Sequence, residues 1–376
     1  MTASRHLFTR GGLGAAEKED NEEAITAAVA PVAPGSKRIE LKVAEKVEQI
    51  GGGIALFAGV IGNILSILVL RRPNLRYNTI SLYLTILAWS DLFMLVIGQG
   101  GRHWLRSLTG FDSLKVSEFY CQFWQILAVS SVYSNYVLAG VSFERCFAIN
   151  FPLQARRLLT RKASKIYLLT SLIFSIVYRL HAFWTFKISI KNGERSCGID
   201  PTNYFAKEVR PWYDLVLKWG VPMIVIVISN IFIIKSLYKA KAMRGKLDAG
   251  GESGKGQDQK LKSLAVMLVV VSITFIIMVS PVHLNYVVNA SFDPGYTTPG
   301  KTAAIQRLTF AVGITATYLN HAINFFLYVI SGGDFREEFK QMIMDWFPCL
   351  KSKKAETSLR SQQLTKISEV ETSEKE

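Results

Sequence analysis

Asn63, Asp91, Ser134, Asn135, Asn320, His321 and Asn324 stand inside stretches of this sequence that are otherwise apolar. An aspartate removed from water either takes up a proton or keeps its charge with a cation and several oxygen ligands around it. Asn63, Asp91, Ser134, Asn320 and Asn324 offer such oxygens, and sodium is the natural cation. The alternative is a hydrogen-bonded network that only joins helices. Glu144 and Arg145 adjoin at the end of another apolar stretch. There an acid can hold a guanidinium until a conformational change frees it for a partner, although charged pairs at helix ends are also common interfacial anchors. His181, His283 and His321 fall in different stretches, so no nucleophile with a base and no metal-ligating cluster assembles, and an enzyme is not expected.

The apolar stretches that position these groups run at about 50–70, 79–100, 120–148, 164–186, 215–238, 262–289 and 304–331. Each approaches the roughly 20 residues that a helix needs to cross the hydrocarbon of a bilayer. Isolated spans in lipid must satisfy their backbone internally, and the alternation of a membrane barrel is missing. The expected fold is therefore all-α, a bundle of seven transmembrane helices. Its apolar content of 49% fits lipid better than water. The net charge of +15 lies in short loops and on no single helical face, which argues against nucleic acid as a partner. No secretory signal precedes the first span, which is expected to act as its own signal.

Arg71, Arg72 and Arg76 follow the first span, Arg156, Arg157, Arg161, Lys162 and Lys165 the third, and Lys239, Lys241, Arg244 and Lys246 the fifth. The opposite loops balance fewer basic residues with Asp112, Glu118, Glu194, Asp200 and Glu208. By the positive-inside rule the N terminus is extracellular and the C terminus cytoplasmic, in a multi-pass protein of the plasma membrane. Cys121 and Cys197 then fall on the oxidising side, where a bridge would pin the loop after the fourth span over the bundle mouth; two unrelated thiols are the alternative.

Residues 1–48 are expected to be an extracellular unstructured N terminus, 49–332 the membrane domain, 333–348 an amphipathic juxtamembrane helix and 349–376 a cytoplasmic unstructured tail. In 333–348 the residues Phe335, Phe339, Met342, Ile343 and Trp346 share one helical face, opposite Arg336, Glu337, Lys340 and Asp345, which suits a lipid surface. Cys349, among Lys351, Lys353 and Lys354, is placed for S-palmitoylation, and the tail's serines and threonines for phosphorylation. The glycine-rich 245–256 reads as a flexible linker, and Asn289-Ala290-Ser291 is a glycosylation sequon close to the membrane.

Read in order, Gly62-Asn63, Leu87-Ala88-Trp89-Ser90-Asp91, Cys121, Glu144-Arg145-Cys146 with Pro152, Pro222, Phe275 with Pro281, and Asn324 to Tyr328 followed by Phe335-Arg336 resemble the rhodopsin-like G-protein-coupled receptors. The likeness covers about 50–348, and NFFLYVISGGDFREEF is most like invertebrate receptors of the FMRFamide and thyrotropin-releasing-hormone kind. The resemblance implies a ligand entering from outside, hinges at Pro222 and Pro281, and a coupling switch of Glu144, Arg145, Asn324 and Tyr328. It also implies a heterotrimeric G protein docking at Arg145, with arrestin and a receptor kinase acting at the tail.

Several positions depart from the family pattern. Val279 replaces the aromatic before the sixth-span proline, Phe325 the proline of the seventh-span motif, and Asn230 the usual tyrosine. The fourth span lacks its mid-helix tryptophan, Cys121 lies one residue nearer Arg145 than expected, and Asp258 is the nearest acid at the start of the sixth span.

No lysine occurs between Ala303 and Ser331 to attach retinal, and no aspartate between Cys121 and Glu144 to meet a biogenic amine. The outer ends offer Arg102, His103, Trp104, Trp124, Gln125, Trp212, Tyr213, Trp219, His283, Tyr286, Arg307 and Tyr318. Such a mouth suits a peptide, with Arg102 or Arg307 meeting a carboxylate or carbonyl, although each aromatic also suits an interfacial anchor. An ion-coupled transporter or channel is the alternative, but the two halves of the chain show no internal repeat.

Overall fold

A computed structural model describes residues 39–191, 194–200, 202–244, 255–292 and 301–348. Among them seven long helices form the bundle: α1 (Ile39–Leu70), α2 (Thr79–Gly100), α3 (Glu118–Asn150), α4 (Arg161–Thr185) and α5 (Arg210–Lys239), then α6 (Lys255–Phe292) and α7 (Lys301–Ser331). The first six contain spans long and apolar enough to cross a membrane. The 31-residue α7 has the length, while Arg307, Asn320, His321 and Asn324 dilute its apolarity. Asn78, Ser117 and Thr160 cap α2, α3 and α4 by accepting from Ile80, Tyr120 and Ala163 amides, which sets where each span starts.

Helix α1 shows why lipid is the solvent. Its large side chains Ile54, Phe57, Ile61, Ile64 and Leu68 are exposed along one face, whereas Ala55, Gly59, Gly62, Asn63 and Ser66 are buried. Lipid tails are as apolar as leucine, so helices bury small and polar residues against one another. Gly59 shows the close approach of α1 to α7: a Cβ there would lie 2.8 Å from the Ala322 Cβ and 3.0 Å from its Cα.

The helix α1 begins at Ile39, inside the segment expected to be an unstructured N terminus. Its early turns are tied to α7, where Arg307 donates to both Glu48 carboxylate oxygens at 2.7 and 2.6 Å. A second departure is the antiparallel hairpin β1 (Phe186–Lys191) and β2 (Glu194–Ile199), the one strand pair among the described residues. Ile188 pairs with Cys197, and the Cys121–Cys197 disulfide, with Cα atoms 5.8 Å apart, fastens the hairpin to α3.

After α7 the chain turns at Gly332 into α8 (Gly333–Trp346). Phe335 and Met342 are buried under it and Arg336, Glu337, Lys340 and Asp345 face out, as the periodicity predicts. Glu338 is buried as well, because Arg72 and Asn74 of the first loop reach it at 2.8 and 2.6 Å, and Arg72 also meets Asp345 at 3.0 Å. Cys349, the tail, the 245–254 linker and the side chains of Arg102 and Asn289 lie outside the described residues.

Candidate functional site

Asp91, Ser134, His321 and Asn324 arrive from α2, α3 and α7 and meet in the middle of the bundle. Asp91 is fully buried. Its Oδ1 accepts from Ser134 Oγ at 3.0 Å and His321 Nδ1 at 2.7 Å, and its Oδ2 accepts from Asn324 Nδ2 at 2.7 Å. An ionised carboxylate only accepts, so Nδ1 is then the hydrogen-bearing nitrogen of His321. Asn63 Nδ2 donates to the Gly59 and His321 carbonyls, both at 2.9 Å, while Asn63 Oδ1 and Ser66 Oγ are buried without partners. Asn320 is buried but makes none of these bonds. Hard cations are held by oxygen ligands. Two of the three groups on this carboxylate approach through N–H and one through a hydroxyl.

At one end of the bundle Glu144 accepts from Thr79 Oγ1 of α2 and from Ser164 Oγ of α4 at 3.0 Å. Arg145 Nη2 stays 3.9 Å from Glu144, and the Arg145 Nε is buried without a partner. The acid is thus held mainly by hydroxyls and the guanidinium only loosely. Ser236 Oγ donates to Asn150 Oδ1 at 2.8 Å, fixing the register of α5 on α3. Counting back along both helices brings Asn230 level with Arg145, and neither amide atom of Asn230, buried at 6% exposure, has a partner. Tyr328 is buried against Phe335, with ring centroids 5.4 Å apart. Phe325, in the place of the family's proline, packs on Phe335 and Phe339 of α8 at 6.0 and 5.2 Å, and Val279 lies in the core with Phe275.

Toward the disulfide end the two prolines shape the site. Pro222 has no N–H, so the carbonyl of Lys218 four residues earlier loses its helical partner. Asn135 Nδ2 donates to that carbonyl at 2.9 Å and Tyr136 Oη to the Leu217 carbonyl at 2.7 Å. The backbone widens into π turns over Asp214–Gly220, the kind of local irregularity that recurs at functional sites. Pro281 lies inside α6. Two residues on, His283 stacks on Trp219 with centroids 6.0 Å apart, and its Nδ1 donates to the Val279 carbonyl at 3.0 Å. Tyr178 Oη donates to Asp214, Arg210 lies 3.4 Å from the same carboxylate, and Arg179 donates to the Gln125 carbonyl through Nε at 2.8 Å and through Nη2.

Of the expected ligand contacts, Gln125, His283 and Tyr286 border this cluster, Tyr286 within electrostatic reach of Arg179. Arg307 is engaged by Glu48, Trp104 Nε1 donates to the Gln49 carbonyl at 3.1 Å, and Tyr318 is buried against Ala55, Met94 and Leu95. Trp124 packs on Tyr120 at 5.7 Å, and Trp212 is exposed. Arg179, Asp214 and Lys218 escaped the sequence reading, yet for Arg179 and Lys218 the signal was there: they are ionisable residues in apolar spans, the criterion that selected Asp91, while Asp214 stands just before the fifth span.

Residues 62–328 match the family model described as 7 transmembrane receptor (rhodopsin family). Growth hormone secretagogue receptor type 1 of Oryctolagus cuniculus is 29% identical over 296 residues, which cover 75% of this chain and 77% of that receptor. The FMRFamide receptor of Drosophila melanogaster is 25% identical over 303 residues, covering 75% of this chain and 51% of the relative. Galanin receptor 2b of Danio rerio is 24% identical over 323 residues, covering 85% and 79%. Since the matched segment runs from within α1 to near the end of α7, well over half of its length, this chain belongs to the rhodopsin family of seven-transmembrane receptors.

Proposed function

We propose that this receptor binds an extracellular peptide at the disulfide end of the bundle and passes the signal to a heterotrimeric G protein at the Arg145 end. Relatives named for growth hormone secretagogue, FMRFamide and galanin support a peptide ligand. The observation that carries coupling is the state of Arg145: a buried guanidinium, 3.9 Å from its nearest acid and level with an unpartnered Asn230. A small shift of α5 and α6 at their prolines gives it somewhere to go. The ligand supplies only its difference in affinity for the two states.

The chain sits in the plasma membrane with its N terminus outside, which leaves the basic loops and α8 on the cytoplasmic leaflet. Arrestin and a receptor kinase act on the tail, and Cys349 is a lipidation site. Asp91 works through its protein donors, His321 among them, in place of a sodium ion. That arrangement matches the Asp91 carboxylate with protein donors. Arg145→Ala is expected to abolish G-protein activation in cells while surface expression stays largely intact. Unchanged activation in that variant removes the coupling role.

A further inference from the structure

The charge in the half of the bundle nearest the disulfide is unbalanced. Arg179, Arg210 and Lys218 lie within electrostatic reach of one another and of one acid, Asp214. Asp214 already accepts from Tyr178 and meets Arg210, and Arg179 is engaged by the Gln125 carbonyl. Lys218 is left over: among the described residues its ammonium has neither a hydrogen bond nor an ion pair. Lys218 is half-buried and shares its one nearby acid, Asp214, with two arginines; cations within membrane helices are usually paired or functional.

Two neighbouring rings carry unmet polar atoms of opposite kind. Trp219 Nε1 only donates and has no partner. The His283 Nδ1 donates to the Val279 carbonyl, so Nε2 is the accepting nitrogen of a neutral ring, and it too has no partner although His283 is only 6% exposed. Lys218 is close enough to act electrostatically on His283, and the two rings stack. A donor and an acceptor on stacked rings are therefore unsatisfied, with a cation within electrostatic reach of them.

We propose that Lys218 and Trp219 receive a carboxylate of the ligand while an adjoining N–H of the ligand donates to His283 Nε2. A free peptide C terminus with its last amide has this pair of groups, as does an acidic side chain beside a backbone N–H; an amidated terminus without an acid does not. The inference rests on the peptide reading above but reaches further, to the chemistry the peptide must carry.

The test uses cells expressing the full chain, with calcium and cAMP readouts. The probes are peptides paired as terminal acid and terminal amide, versions with Asp and Glu replaced by Asn and Gln, and phenylpropionate beside its amide. Activity is expected to follow the carboxylate, with the matched amide at least about tenfold weaker, as loss of one charge-assisted contact implies. Lys218→Gln should erase that preference and Lys218→Arg should keep it. Dependence on the terminal group or on a side chain identifies the source of the carboxylate. Activation by phenylpropionate alone, lost in Lys218→Gln, would end the peptide reading and leave this inference standing. Equal potency of acids and amides, or an acid preference that survives Lys218→Gln, overturns it.

If no probe activates, purified protein decides. The Lys218→Gln variant should melt no lower than the parent, because an unmatched cation has gone, and millimolar N-acetylphenylalanine should stabilise the parent alone, its amide neither. A clear drop in melting temperature would make the lysine a structural partner of Asp214, and that drop, or no stabilisation of the parent, sinks the proposal.

Discussion

Asn135 donates to the Lys218 carbonyl at 2.9 Å, across from α3 to α5, and so takes the place of the helical N–H that Pro222 lacks. The asparagine and the proline thus form one device, a break in α5 that is satisfied from outside the helix. Asn135→Leu keeps the volume and leaves the carbonyl unmet. Interhelical hydrogen bonds in membranes contribute about 1 kcal/mol, so the variant should melt a few degrees lower. In Pro222→Ala the backbone N–H returns, and the same Asn135→Leu change should then cost little. Equal losses in both backgrounds would show the two residues to be uncoupled.

The unpartnered Asn230 carries a cost in the resting receptor that its function has to explain. A buried amide with neither atom bonded is destabilising by about 1–3 kcal/mol, so Asn230→Leu should raise the melting temperature. If Asn230 is also where Arg145 lands on activation, the same variant should lower maximal G-protein activation at unchanged surface expression. Greater stability with full signalling would leave Asn230 without a role in coupling.

The spans were legible because lipid imposes a length and an apolarity that no soluble helix needs, and their boundaries agree closely with the helices from α2 onward. The early start of α1 was not, since it depends on Arg307 reaching Glu48 from the other end of the chain. The hairpin was missed for a similar reason: Phe186–Lys191 and Glu194–Ile199 are short and its anchoring bridge joins residues far apart in sequence. Asp91 was found by the rarity of charge in lipid, and Arg145 by the motif it shares with the rhodopsin-like receptors. Lys218 met the same rule but sat in a span that was read mainly for its proline, and Asp214 stood just outside that span.

The imidazole of His321 on Asp91 makes a clear statement about cations. With N–H groups from His321 and Asn324 at 2.7 Å, the carboxylate is already matched. Replacing sodium by N-methylglucamine at constant ionic strength should change neither the melting temperature nor agonist affinity. His321→Ser removes the ring and leaves an oxygen, so that variant should become sodium-sensitive. Stabilisation of the parent by sodium would show that the ring gives way to an ion.

The hairpin should respond to acid late. Lys187 Nζ lies 2.6 Å from Asp200, and this lysine, with the hydroxyl and amide of Thr202, holds the Asp200 carboxyl down to about 2. A depressed carboxyl contributes its stabilisation fully above its unfolded value, near 4, and loses it as pH falls through the folded one. Asp200 in turn raises Lys187 above the usual lysine range, so that the lysine's contribution is complete below its ordinary value and fades only above it. Hydrogen-exchange protection of the hairpin should therefore stay level from about pH 5 to pH 9, once corrected for intrinsic exchange, and fall only in stronger acid. Lys187→Met removes the largest cause of the depression, so the variant should start with less protection at neutral pH and lose less of it in acid than the parent. Should the parent hairpin lose protection already near about pH 6, a group other than this pair governs it.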